Sequence, residues 1–450
     1  MTHHHSTPIH KEIDMKRSRS LTMASLALTA MLGLTACQAG GTEPAATDGE
    51  VAGDIQYAWW GGPARNDRTQ AVIDLYQEAN PEVTVQGTTA EFAAYFEQAT
   101  VQAAGKNMPC VPQMQNRTMA DFSDRGALMP LDDLVDSGAI DVSNIPESVV
   151  ESGRGSDGKL YMIPYGAAFG SMLVNTTLVQ AQGLDLPEEG YDWEWVADWA
   201  NDLAAGTGSP AMGIIGNQQD VLEAWLRSHG TDLYEDGGLG FEAEDLVEFW
   251  EYANALQESG AAVSPEIASE QTGLPLEQLP FSSGGQATVF WPANGLGTAQ
   301  ATIDVAAPGN VLQAFPLPAG PDGYGNAFWV SGLSISANCE NVATAASFID
   351  FFVNDPDAAV AYASDNGATV NTENLELIVD DPATSPAKKA ELELYAQVAA
   401  QDVPPAVYGK GYASIFQQNL TRYYQQVSFG ELSAEEAAEQ FVQEAEGLLG

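Results

Sequence analysis

Basic residues, histidine and cysteine are all scarce in this chain, and each shortage removes a class of chemistry. Only 16 residues are Lys or Arg against 62 Asp or Glu, a formal charge of −46 over 450 residues. Phosphate backbones are repelled by such a surface, so nucleic acid is not an expected partner. Anionic solutes are repelled at long range unless a local pocket overrides the field. A neutral ligand is the natural partner. Four of the five histidines, His3, His4, His5 and His10, sit at the extreme N-terminus, which leaves His229. The cysteines are Cys37, Cys110 and Cys339. One His and two spare Cys cannot build a four-ligand Cys/His zinc site. They allow at most one His-based triad. No metal, no cofactor and no catalytic residue is expected.

The N-terminus carries the most specific signal. Lys16, Arg17 and Arg19 precede a short apolar stretch, Leu21–Leu34. That stretch is too short for a spanning helix, which needs about 20 apolar residues. Its order of basic, apolar and small residues is that of a secretory signal. Leu34-Thr35-Ala36-Cys37 resembles a bacterial lipobox. Residues 1–36 therefore read as a signal peptide with an upstream extension before Met15, and Cys37 as a lipidated N-terminus anchored to the membrane. An ordinary secreted protein cut nearby is the blander alternative. Residues 37–52 read as a tether, reaching roughly 20 Å from the lipid. Loss of 1–36 removes four bases and two acids, leaving 12 bases, 60 acids and a charge of −48 on 414 residues. Outside the membrane, Cys110 and Cys339 can pair or remain buried thiols.

Beyond the tether the pattern alternates. Ile55–Trp60 reads as a strand, Asn66–Ala79 as a helix, Val83–Gln86 as a strand, Glu91–Ala104 as a helix and Val111–Gln115 as a short strand. Val196–Leu203 and Asp245–Gln257 carry apolar residues at helical spacing. This order predicts an α/β fold with largely parallel pairing.

From "WWGGPAR" (Trp59–Arg65) and "IDLYQEANPEVTV" (Ile73–Val85) onward, the chain resembles extracellular solute-binding protein family 1, the sugar-binding lipoproteins of ABC importers. The likeness continues through "RGALMPLDDLVDSGAI" (Arg125–Ile140), "GKLYMIPYG" (Gly158–Gly166), "FWPANGLG" (Phe290–Gly297) and "SFIDFFVNDPDAA" (Ser347–Ala359). The resemblance implies an α/β, two-lobed periplasmic-binding-protein-like fold with crossover hinge strands. Lobe 1 would span 53–164 with a returning segment near 326–375. Lobe 2 would span 165–325 with C-terminal helices near 376–450. It implies a monomer that closes on a sugar and delivers it to the permease subunits of an ABC importer. There are departures. Cys110 and Gln115 stand where the family often has Asp, Phe92 where Trp is common, and Pro112 is expected to interrupt its strand.

A sugar presents hydroxyl edges and an apolar face. Aromatic rings cover the face, and planar polar groups pair with adjacent hydroxyls. Trp59 and Trp60 end the first strand, where ligands of open α/β sheets gather. Neighbours on a strand face opposite sides, so one of the two is expected in the core. Trp291 and Asn294 match the family's second-lobe ligand loop. Glu91, Phe92, Gln115 and Asn116 are first-lobe candidates. Tyr165 and Phe169 follow the strand that passes between lobes in the family. Trp225 near His229, Trp329 near a crossover, and Arg65 complete the set. Arg65 could instead hold its Gly-rich loop, and Trp225 could be helical core. Trp193, Trp195, Trp199 and Trp250 read as helix packing. Three other readings stay open: a receptor for a polyamine or peptide, a lipid-anchored glycoside hydrolase with paired carboxylates, and a purely structural surface lipoprotein.

Overall fold

The computed structural model describes residues 49–401 and 404–449. The signal peptide (1–36), Cys37 and the tether as far as residue 48 lie outside them. Among the described residues no helix is long and apolar enough to cross a membrane.

Strand β1 (Gly53–Trp60) opens the fold, followed by helix α1 (Pro63–Ala79), β2 (Val83–Ala90), α2 (Phe92–Gly105), β3 (Val111–Gln115) and α3 (Asn116–Ser123). Helix α1 begins three residues before the expected Asn66, because Pro63 fits the first helical position, where no backbone N–H is needed. Strand β2 outruns its expected end. Its Gly87 lies under Trp59, and a Cβ there would stand 2.7 Å from the indole ring. Pro112 does not break β3; it pairs within the strand opposite Ala58.

Strand β4 (Ile163–Asn175) is thirteen residues long and changes partners halfway. Its first half pairs with β7 (Phe328–Leu333) and β8 (Ala368–Thr369). Its second half pairs with β5 (Thr288–Pro292) and β6 (Leu312–Phe315). The sheet runs β8-β4-β7-β3-β1-β2, with β5 and β6 branching from β4. Only β1–β2 and β1–β3 are parallel; β7 is antiparallel to both β3 and β4. The expectation of largely parallel pairing is therefore corrected to a mixed sheet. Chains that cross between lobes and return must run against each other. The resulting fold is α/β and two-lobed, with β4 and β7 as the crossover strands.

Two apolar cores flank this strand. One gathers β1–β3 and the helix Val342–Asn354, and continues beneath Leu173 to the helices Leu296–Ala306 and Pro386–Ala399. The other packs the helices Trp193–Thr207, Ala243–Glu258 and Ala434–Leu449, together with α4 (Gln219–Ser228), against Met172 and Val174. Alternate residues of β4 thus feed opposite cores.

Cys110, just before β3, and Cys339, just after β7, form a disulfide with a Cα–Cα distance of 4.6 Å and a sequence separation of 229. It closes a loop that contains all of the second lobe's helices up to that point. Cross-links over long loops restrict the unfolded chain most, and removing one from a secreted protein typically costs about 2–5 kcal/mol. Cys110→Ser/Cys339→Ser is expected to lower the unfolding free energy by about 2–4 kcal/mol in denaturant melts. Reductant should produce the same loss in the wild type and none in the variant.

Candidate ligand cleft

The register of the crossover strands sets the floor of a cleft. Trp329 on β7 lies opposite Ala168 on β4, and Ser331 lies between Gly166 and Gln115. Side chains alternate along a strand, so Trp329 and Ser331 share one face while Phe328 and Val330 face the core. Gly166 must be glycine, because a Cβ would meet the Asn366 carbonyl at 2.7 Å.

Above this floor stands a cleft of about 710 Å³. Its far wall is built by the segment Asn217–Asp220 leading into α4, by α5 (Pro265–Gln271) with the turn after it, and by Trp291 and Asn294. A face of α6 (Leu420–Ser428) contributes Thr421. The polar lining is dominated by amides: Gln115, Asn217, Gln218, Gln219, Gln271, Gln286, Asn294 and Asn366. The lining includes one guanidinium, Arg117, and one carboxylate, Asp220. Burial raises the Asp220 carboxyl above its usual range, and the charge of Arg117 opposes the shift.

The floor's aromatic wall is rigidly held. The Arg117 guanidinium lies 4.6 Å from the centre of the Trp329 ring, and its Nη1 donates to the Tyr412 hydroxyl at 3.2 Å. Trp329 Nε1 donates to Glu223 Oε2 at 3.1 Å, and the Tyr408 hydroxyl donates to Oε1 at 2.6 Å. Glu223 is buried on α4, beside the Arg227–Asp232 ion pair of 2.6 Å. Trp291 is half-buried and packs over Gly295; a Cβ at Gly295 would stand 2.6 Å from the indole.

Of the residues expected from sequence, the structure brings Gln115, Trp291, Asn294 and Trp329 together in the cleft. The others it places elsewhere. Trp59 is core, its Nε1 bonded to Asn66 Oδ1 at 2.9 Å. Trp60 faces the other way, as adjacency requires, but is also buried. The rings of Phe92, Tyr95 and Phe96 from α2 cover it at 5.3–5.5 Å. Phe92 is the exposed lid of that cluster, and Glu91 is exposed at the start of α2. Phe169 packs on Phe328 and Tyr395 in the core. Trp225 packs in the second core and stacks on His229 at 4.4 Å. Asn116 is a buried clamp. Its Oδ1 accepts from Val330 N, and its Nδ2 donates to the carbonyls of Phe328 and Ala406.

Arg65 and Tyr165 stand one step behind the lining. Arg65 holds Asp365 at 2.6 Å, and the Tyr165 hydroxyl accepts from Asn366 Nδ2 at 2.9 Å. Both position the loop that carries Asn366. Sequence reasoning missed Arg117, Asn217, Gln218, Gln219, Asp220, Gln271, Gln286, Ser331 and Asn366. One signal was available: the run Gly216-Asn217-Gln218-Gln219-Asp220 places four planar polar groups at the start of an amphipathic helix.

The chain belongs to the bacterial extracellular solute-binding protein family, whose model matches residues 62–359. It is 24% identical over 427 residues to an uncharacterized lipoprotein from the oleD 5′ region of Streptomyces antibioticus, covering 91% of this chain and 89% of that one. It is similar in structure to an extracellular solute-binding protein family 1 member of Alicyclobacillus acidocaldarius, with 23% identity, a TM-score of 0.73, and 89% and 100% of the two chains covered. It is also similar to the GacH receptor of Streptomyces glaucescens, solved unliganded and with acarbose, at 20% identity and a TM-score of 0.70 over 89% and 99% of the two chains. The family is one of binding proteins.

The Trp329 wall carries a pH dependence. Burial, reinforced by the charge of Asp232, raises the Glu223 carboxyl to about 7; Arg227 and the bonds from Tyr408 and Trp329 oppose the shift. The folded protein therefore keeps a proton at pH 5–7 that the unfolded chain releases. Stability contributed by this proton is present at the acid end and is lost as pH rises through 7. Glu223→Gln stays neutral throughout. The melting temperature of the wild type minus that of Glu223→Gln is expected to fall between pH 5 and pH 8. A flat difference would show that Glu223 does not titrate in this window.

Proposed function

We propose that this protein is a lipid-anchored extracytoplasmic receptor that captures a neutral oligosaccharide by lobe closure and delivers it to an ABC permease. Residues 53–164 with 326–375 act as one closing body, and 165–325 with 376–450 as the other. Residues 1–36 direct export, and Cys37 carries the lipid.

The observation that carries the reading is the amide-rich cleft in so acidic a chain. An amide both donates and accepts, as a sugar hydroxyl does, and adds no charge. Eight amides flank the two tryptophans Trp291 and Trp329. The single guanidinium and single carboxylate of the lining offset each other. A polyamine would call for several carboxylates, and a uronate for several cations. The cleft's size falls within the roughly 300–1,000 Å³ of ligand pockets. That the GacH receptor was solved with acarbose supports the reading. Closure around a ligand on two crossover strands is a hinge motion, and the ligand favours the closed state by its differential affinity alone.

The test is a thermal-shift panel of neutral, anionic and amino-substituted oligosaccharides, with spermidine and short peptides alongside. A ligand at a hundredfold excess over its Kd adds about 2.7 kcal/mol of apparent stability. Neutral glycans are expected to raise the melting temperature by several degrees, and the charged solutes to leave it unchanged. Trp291→Ala is expected to weaken the best glycan about tenfold, close to 1.4 kcal/mol, beyond the lowering of the unliganded melting temperature that loss of its packing on the core brings. A folded protein unmoved by every neutral glycan would overturn the proposal.

A further inference from the structure

We propose that the cleft continues between α5 and α6 into an extension subsite that accepts one more ring of a linear oligosaccharide and opens to solvent beside Phe429. This inference rests on the glycan reading above and deepens it.

A second cavity of about 190 Å³ adjoins the cleft and shares Ile214, Asn217, Ala268, Thr272 and Thr421 with it. The five shared residues set the two cavities side by side. The volume suits one sugar ring and little more. Exposure rises along the branch. Asn217 and Thr421 are half-buried at the inner end, Ser269 and Gln425 are exposed further out, and Phe429 is 43% exposed at the rim. The branch is therefore a passage with an outer mouth.

Its lining is chosen by helix geometry. Thr421, Gln425 and Ser428 are spaced by four and three residues, which puts them on one face of α6. A π-helical segment, Ala413–Asn419, leads directly into α6. Each extra residue in such a turn rotates the following helix by about 100°. Without it this polar face would turn away from the branch. The inner wall is fixed: Tyr424 is buried, and its hydroxyl donates to Asn254 Oδ1 at 3.1 Å.

The mouth is crossed by one hydrogen bond, from Gln425 Nε2 to Ser269 Oγ at 3.0 Å. Both groups are exposed, so exchanging that bond for bonds to a ligand hydroxyl costs little. Phe429 offers an apolar surface to the face of an emerging ring. A glycan seated in the cleft would thus not be limited to the cleft's length. Its last recognised ring would sit between Ser269 and Gln425, and any further rings would project into solvent.

The experiment uses the malto-, cello- and xylo-oligosaccharide series from two to seven rings, titrated by calorimetry into the wild type, Ser269→Trp and Gln425→Ala. Neither position lines the main cleft. In the series that binds, wild-type affinity is expected to gain about tenfold at the ring that enters the branch and to level off beyond it. Ser269→Trp should erase that step and leave shorter members within twofold of the wild type; Gln425→Ala should lose part of it. The short members thereby report that the variants are folded. If glycans bind and Ser269→Trp follows the wild type at every length, the subsite is wrong and the receptor reading stands. If no neutral glycan, these series included, binds the folded wild type, the receptor reading fails and the subsite with it.

Discussion

Everything about the cleft depends on one continuous piece of extended backbone, Ile163–Asn175. At roughly 3.3 Å per residue it spans about 43 Å, long enough to belong to both lobes. It exchanges partners near Phe169 and Gly170, where its bonds to β7 end and those to β5 begin. Gly170 stands at this exchange, and the Leu317 side chain packs where a Cβ would point. Since β7 runs back alongside, the same register that joins the lobes also fixes which residues face the cleft. A slip of one residue would turn Ser331 to the core face and bring Val330 and Phe328 to the cleft face. Cleft position and lobe connection are therefore one structural fact.

Much of this was legible in the chain. The strands β1 and β3, the helices between them and the order of family-like segments place the fold. Trp291, Asn294, Gln115 and Trp329 were read as site residues and do line the cleft. The failures have physical causes. Trp60 stands at the end of its strand as expected, but α2 folds three aromatic rings over it from more than thirty residues further on. Periodicity within β1 carries no trace of that cover. Asn116, next to Gln115, looks equally polar in sequence, yet strand alternation and the start of α3 turn it inward to the backbone of β7. Asn366 has no local pattern at all. It reaches the cleft because Arg65 and Tyr165, some 300 and 200 residues away in sequence, hold its loop.

The charge distribution argues in the same direction as the lining. A chain with 62 acids against 16 bases repels anions over the Debye length of about 8–10 Å. Amides within the cleft present dipoles without adding to that field. Arg117 does not reverse it, because its guanidinium is buried against the Trp329 ring, donates to Tyr412 and acts on the Asp220 carboxyl. A neutral solute meets neither attraction nor barrier at long range, and selection falls to short-range hydrogen bonding and ring contact. On this view the acidity belongs to the surface and its solubility, and the amides belong to the proposed cargo.

The two walls of the cleft differ in how much order they already possess. Trp329 is fixed on four sides: Arg117 over its ring, Glu223 on its N–H, and Asn116 on the backbone of the residues before and after it. A ligand that touches this wall orders little that is not ordered already, so contact there costs little entropy. The opposite wall is built from the half-buried Asn217–Asp220 segment, the exposed Asn294 and the half-buried Trp291. Groups of that kind lose rotamer freedom when they engage a ligand. In the proposed closure the two walls move together, because Glu223 of α4 holds the Trp329 N–H and Asn217–Asp220 starts the same helix. They form one landing surface in the open state, and the contacts that exist only when the lobes are shut fall to Gln115 and Asn366 of the other body. Because a ligand shifts the equilibrium only through its differential affinity, specificity for closure, and hence for delivery, resides in those two amides rather than in the better ordered tryptophan.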